Sequence, residues 1–139
     1  MKVFTVVGNR PQFIKAAPLS AALREAGAEE IVLHTGQHWY HTLSQVFFDQ
    51  LGLAQPRYGL ELHTSDADVM QPAIAERIAA ESPDIVLVYG DTNSTLAGAR
   101  AAADAAIPLA HVEAGLRSGD LSMPEEHNRI ETDRLAWLL

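Results

Sequence analysis

Short apolar runs alternate with longer Ala- and Leu-rich stretches, and polar segments rich in Gly, Pro or Asp separate them. Lys2 to Val7 is a continuous apolar run with Val, Phe and Thr, which predicts a strand buried on both faces. Gly8-Asn9-Arg10-Pro11 interrupts it, and Pro11 suits the first turn of a helix. That helix is predicted from Phe13 to Ala26, with Ile14, Leu19 and Leu23 as its buried stripe. Pro18 should kink or break it, and Gly27 ends it. Ile31 to His34 predicts a second strand, closed by Thr35-Gly36-Gln37-His38. Helical spacing returns at Leu43, Val46, Phe47 and Leu51, with Gly52 as the stop. Tyr58 to Leu62 predicts a short edge strand. Asp66 or Asp68 then caps a helix to about Ala80, with Val69, Ile74 and Ile78 inward and Pro72 in its first turn. Asp84 to Tyr89 contains Ile-Val-Leu-Val, the clearest buried strand of the chain. Gly90-Asp91-Thr92-Asn93 ends it, and an Ala-rich helix follows to about Ala106. The next strand is predicted at Ile107 to His111, and the last helix starts near Pro124.

Strands separated by single helices imply a parallel sheet with right-handed crossovers, a doubly wound, Rossmann-like α/β fold. In such a sheet every strand-to-helix loop lies at the carboxyl edge, where ligands bind. Arg10, Gln37, His38, Asp91 and Glu113 all fall in loops of that class, so the fold should bring them together.

The 139 residues fit one domain with a sizeable core. A net charge of −8 argues against a nucleic-acid backbone as partner, although local cations can still grip a small phosphate. Without cysteine there is no disulfide, thiolate ligand or thiol nucleophile. The opening Met-Lys-Val-Phe-Thr-Val-Val is too short for a signal peptide or a membrane span, so the expectation is a cytoplasmic protein with no membrane partner.

The chemistry concentrates between His111 and Arg129. Glu113, the pair Glu125 and Glu126, and the cations Arg117 and Arg129 gather beyond a strand end, as proton transfer beside an anionic leaving group would require. Glu113 has Arg117 as its candidate partner, and without a cation its pKa would be raised by burial. Asp91 either caps the following helix or faces the cleft as an acid or base. Acids in a first helical turn also have a plain dipole explanation, which covers Glu125 and Glu126. Arg10, beside a helix N-terminus, is a candidate phosphate contact, and Lys15 lies one turn further toward the same anion. The first loop lacks both the dinucleotide glycine pattern and the P-loop Gly-Lys-Ser/Thr. His34, His38 and His41 have no adjacent acid, and Gly36 interrupts their spacing, so no metal is expected.

Five segments carry a resemblance: GNRPQFIK (8 to 15), TGQH (35 to 38), PDIVLVYGDTNSTLA (83 to 97), HVEAGLRSGDL (111 to 121) and PEEHNRIETDRLA (124 to 136). In order and spacing they resemble the non-hydrolysing UDP-N-acetylglucosamine 2-epimerases. The resemblance implies the N-terminal half of a GT-B-like enzyme, with the active site facing a second, nucleotide-binding domain that this chain lacks. It implies interconversion of UDP-N-acetylglucosamine and UDP-N-acetylmannosamine by elimination and re-addition of UDP, in cell-envelope polysaccharide synthesis, without a cofactor. It also implies a homodimer of the full-length enzyme and an inactive isolated chain. Asp91, Glu113 and Glu125 would be the acid/base carboxylates, with Glu126 the competitor of Glu125. Arg10 would contact phosphate, with Lys15 in support, and Asn128 and Arg129 would line the cleft. Gln37 and His38 resemble the loop that holds a second, activating substrate molecule in some bacterial members. Asn9 and Gln12 stand where family versions commonly have Thr and Glu, and the stretch between Asp120 and Glu125 is shorter than in many members. A hydrolysing 2-epimerase, or the sugar-nucleotide domain of a GT-B glycosyltransferase, is the alternative.

Overall fold

The computed structural model describes residues 1–37 and 55–139. Among these residues five parallel strands form one sheet: β1 (Lys2–Val7), β2 (Glu29–His34), β3 (Tyr58–Gly59), β4 (Ile85–Tyr89) and β5 (Leu109–Val112), in the order β3-β2-β1-β4-β5. Four described helices are α1 (Arg10–Glu25), α2 (Ala67–Glu81), α3 (Asn93–Asp104) and α4 (Pro124–Leu135). The helix expected around Leu43 to Leu51 and the candidates His38 and His41 lie outside the described residues.

Alternation along the strands feeds two cores. Phe4, Val6, Ile31, Leu33, Val86, Val88 and Leu109 pack with Met70, Ile74 and Ile78 of α2 and the alanines of α3. Val3, Val7, Val32, Leu87, Tyr89 and Ala110 turn the other way, onto Phe13, Ala16 and Ala17 of α1. Burial on both faces explains the unbroken apolar runs of β1 and β4, and it is the doubly wound arrangement expected.

Several local expectations are corrected. The helix α1 is not broken at Pro18; its buried face is Gln12, Phe13, Ala16, Ala17 and Ser20. Pro18 sits on the exposed side, where water can serve the carbonyl that loses its N–H partner. Ile14 is 49% exposed, because it lies about 100° round the helix from Phe13. In α2 the inward row is Met70, Ile74 and Ile78, at four-residue spacing, and Val69 faces out. Asp66 caps α2 at Ala67, which moves Pro72 into the second turn.

The cap of α3 bears directly on the site. Thr92 accepts from the Thr95 N–H while the Thr95 hydroxyl accepts from the Thr92 N–H, a reciprocal capping box. Asp91 is thereby free of the capping role. Beyond α4 the chain returns to the sheet beside β5, with the Trp137 N–H donating to the Leu109 carbonyl at 2.8 Å and the His111 N–H to the Leu138 carbonyl at 2.9 Å. No helix among the described residues is long and apolar enough to cross a membrane.

Candidate functional site

The carboxyl ends of β1, β2, β4 and β5 carry the loops that hold the candidate residues. Gly8 stands where β1 leaves the sheet: a Cβ there would overlap the Ser94 and Thr35 hydroxyls, so only hydrogen allows the loops to meet. Gln12, 2% exposed, joins the same loops. Its Oε1 accepts from the Gly8 N–H at 2.7 Å, and its Nε2 lies 2.8 Å from the Tyr89 carbonyl and 2.9 Å from the Thr92 and Thr95 hydroxyl oxygens. Arg10 is the first residue of α1 and is exposed, above that knot.

Two acids are tied together by α4. Arg129, 8% exposed, donates from one terminal nitrogen to Asp91 Oδ2 at 2.5 Å and from the other to the Glu113 main-chain carbonyl. Asn128 Nδ2 donates to the Asp91 carbonyl at 3.0 Å and to Asn93 Oδ1 at 2.8 Å. Glu113 has a left-handed backbone, φ 67°, which costs about 1–3 kcal/mol for a residue other than glycine. Such strain persists only where the surroundings hold it, and here Arg129 grips the strained peptide itself.

The partner of Glu113 is Lys15, which reaches it from α1, and not Arg117 as its spacing suggests. Gly115, at φ 77°, turns the chain between them, and Arg117 pairs with Asp133 at 2.7 Å. Burial pushes the Asp133 carboxyl up, but hydrogen bonds from Arg117, the Gly115 N–H and His111 outweigh it and leave it below the usual carboxylate range.

Neighbouring Glu125 and Glu126 separate sharply. Glu126 is 6% exposed and accepts from the Ser118 N–H at 2.9 Å and the Gly119 N–H at 3.1 Å. The Ser118 amide holds its carboxyl below the usual range against the upward push of burial, and Gly119 helps. Glu125 is exposed at the rim of a cavity of about 250 Å³, which Asp91, Leu116, Arg117, Ser118, Met123, Arg129 and Glu126 itself also line. Lys15 and Glu113 are not part of that lining; Glu113 is joined to it through Arg129.

Gln37 turns its Oε1 to the start of α3, 2.6 Å from the Ser94 hydroxyl and 3.3 Å from the Ser94 N–H. His38 of the same motif lies outside the described residues. Among the described residues no group of three or more His, Cys, Asp or Glu side chains is placed to share a metal ion. Gln12, His111 and Asp133 have structural parts that sequence reasoning did not assign. A buried amide and a buried imidazole leave no signal beyond a polar residue next to apolar ones. The arrangement pairs Asp91 with Arg129 and Glu113 with Lys15, and leaves Glu125 in reach of solvent at the cavity that Asp91 also lines.

The family model for UDP-N-acetylglucosamine 2-epimerase matches residues 21–139. A UDP-N-acetylglucosamine 2-epimerase homolog of Methanococcus maripaludis is 50% identical over all of this chain and 40% of its own length. A UDP-2,3-diacetamido-2,3-dideoxy-D-glucuronate 2-epimerase of Pseudomonas aeruginosa is 49% identical over all of the chain and 41% of its own. The crystal structure of Methanocaldococcus jannaschii UDP-GlcNAc 2-epimerase in complex with UDP-GlcNAc and UDP superposes with a TM-score of 0.90 and 38% identity, covering 98% of this chain and 39% of that one. The chain thus spans about 40% of the length of the curated relatives it matches.

Proposed function

The chain belongs to the UDP-N-acetylglucosamine 2-epimerase family, and from that premise we propose that it is the first domain of an enzyme interconverting UDP-N-acetylglucosamine and UDP-N-acetylmannosamine. The observation that carries the reading is the single clamp of Arg129 on Asp91 and Glu113, beside a cavity rimmed by Glu125.

The sugar's C2 hydrogen lies beside no carbonyl and is barely acidic, so a base alone cannot remove it. A carboxylate takes the C2 proton while the bond from C1 to the diphosphate oxygen breaks and UDP leaves with that electron pair. The C2 electrons become a C1–C2 double bond, giving a 2-acetamidoglucal. Return of a proton to the opposite face of C2, with UDP adding back at C1, completes the inversion. Asp91, Glu113 and Glu125 supply the acid and base positions, and the two backbone amides that Glu126 accepts support a structural part for that residue. A positioned acid or base contributes about 10²–10⁴-fold, so stabilisation of the departing diphosphate must supply much of the rest. Arg10 at the helix start contacts phosphate. Lys15 pairs with Glu113 and adds positive charge on the same side. Asn128 and Arg129 shape the cleft floor.

No electrons are gained or lost overall, so the reaction calls for no redox cofactor. A second domain holds the uridine, the full-length enzyme is a cytoplasmic homodimer, and the isolated chain is silent. Gln37, with His38, belongs to a second, activating substrate site in this reading, and the enzyme serves cell-envelope polysaccharide synthesis.

The 49% identity to the diacetamido-glucuronate 2-epimerase supports a second reading, in which the sugar carries a further acetamido group and a carboxylate. The bond changes at C1 and C2 are the same, so the residue roles stand. Supplying each UDP-sugar separately to the two-domain enzyme and comparing kcat/KM decides between them. Turnover of neither removes the proposal.

A further inference from the structure

We infer that His111 is a positioning residue, the link that holds the loop of Asp91 and the loop of Glu113 in fixed relation; the catalytic part of this inference rests on the epimerase reading above. His111 lies on β5 opposite Val88 of β4, and its side chain is fully buried. It is not part of the cavity lining and makes no contact with the acids named there.

The ring is hydrogen-bonded on both sides. Nε2 lies 2.6 Å from the Gly90 carbonyl, which can only accept, so Nε2 carries hydrogen and donates. Nδ1 lies 2.7 Å from Asp133 Oδ1, and at that distance a proton must sit between the two atoms. The far oxygen of Asp133 accepts from the Gly115 N–H at 3.1 Å and from Arg117 at 2.7 Å. A continuous path therefore runs from Gly90, one residue before Asp91, through His111 and Asp133 to Gly115, two residues after Glu113.

Both ends of that path are bent backbone. Gly90 and Gly115 have φ of 67° and 77°, and Glu113 between them in the site has φ 67°. Arg129 fixes the two loops from the cleft side, and the imidazole fixes them from beneath. A rigid ring with polar atoms at opposite edges spans the gap between β4 and α4; an aliphatic side chain or a short amide cannot hold both ends. Loss of the link lets the acids shift relative to each other, and a displacement near 1 Å costs about 10²-fold in rate.

The test uses His111→Gln, Asp133→Ala, the double variant and Asp133→Asn. In the two-domain enzyme, His111→Gln and Asp133→Ala should each lower kcat about 10²-fold with KM unchanged, and the double variant should be no worse than either. Asp133→Asn should retain activity, because its amide donates to Nδ1 while its carbonyl accepts from Gly115 and Arg117. Additive losses, a change confined to KM, or an Asp133→Asn enzyme as impaired as Asp133→Ala would each overturn the inference. On the present chain, NMR should show faster hydrogen exchange at the Gly115 amide in His111→Gln, although His111 does not touch that amide; unchanged exchange in a folded variant would overturn the link without reference to activity. Wild-type enzyme without C2 exchange would sink the epimerase reading instead, and the exchange result would still stand or fall alone.

Discussion

Arg129 donates to Asp91 at 2.5 Å with one guanidinium nitrogen while the opposite nitrogen holds the main-chain carbonyl of Glu113. A planar fork can serve both at once, and the point charge of lysine cannot. Two acid loops from different strands are thus fixed by one buried side chain of a third element. Replacement of Arg129 by Lys should lower kcat/KM for epimerisation by about 10²-fold or more, the scale of losing an oriented electrostatic contact. Circular dichroism should show an unchanged fold, and recovery of full activity by lysine would contradict the clamp.

On the proposed mechanism Glu125 acts in the chemistry and Glu126 in the structure. Glu125→Gln should cut C2 exchange by about 10²–10⁴-fold and leave the thermal midpoint alone, because its carboxyl lies exposed at the cavity rim. Glu126→Gln should lower the thermal midpoint, because the carboxylate satisfies the Ser118 and Gly119 amides. Reversed effects in paired melting and exchange assays would exchange their roles.

Contacts of this kind contribute to the acid limb of stability. Glu126 and Asp133 have carboxyls held below the ordinary range in the folded protein. As pH falls the unfolded chain therefore binds protons first, and stability falls from the ordinary carboxylate range down through the folded values. Above that range these two groups contribute a constant amount. Urea midpoints across acidic pH should show this slope, and Glu126→Gln should flatten it.

Gly8→Ala should destabilise the fold by about 1–3 kcal/mol. The new methyl would meet the Ser94 and Thr35 hydroxyls, which are buried and hydrogen-bonded to each other at 2.7 Å. Gly59→Ala is the control, since a Cβ there meets nothing within 4 Å. Denaturant titration of both variants checks the difference.

The sheet was legible because burial on both faces writes itself as unbroken apolar runs, as at Phe4 to Val7 and Val86 to Val88. Helix faces were less so. Ile14 and Val69 are apolar but exposed, and Met70 and Ala16 decide which side turns inward. The convergence of Asp91 and Glu113 followed from the rule that strand-to-helix loops share one edge, whereas Arg129 reaches both from within α4. Pairings did not follow, because they depend on distances between loops. Arg117 is four residues from Glu113 in sequence, yet Lys15, 98 positions away, is the residue that reaches it. The relay through His111 and Asp133 was equally hidden, since a buried polar pair looks in sequence like any two polar residues.

The most direct measurement is incorporation of solvent deuterium at C2 during turnover of UDP-N-acetylglucosamine by the two-domain enzyme in D₂O. Proton transfer by these carboxylates predicts deuterium at C2 of the epimerised sugar, accumulating in both epimers at equilibrium. Epimerised product that retains its original C2 hydrogen would contradict it.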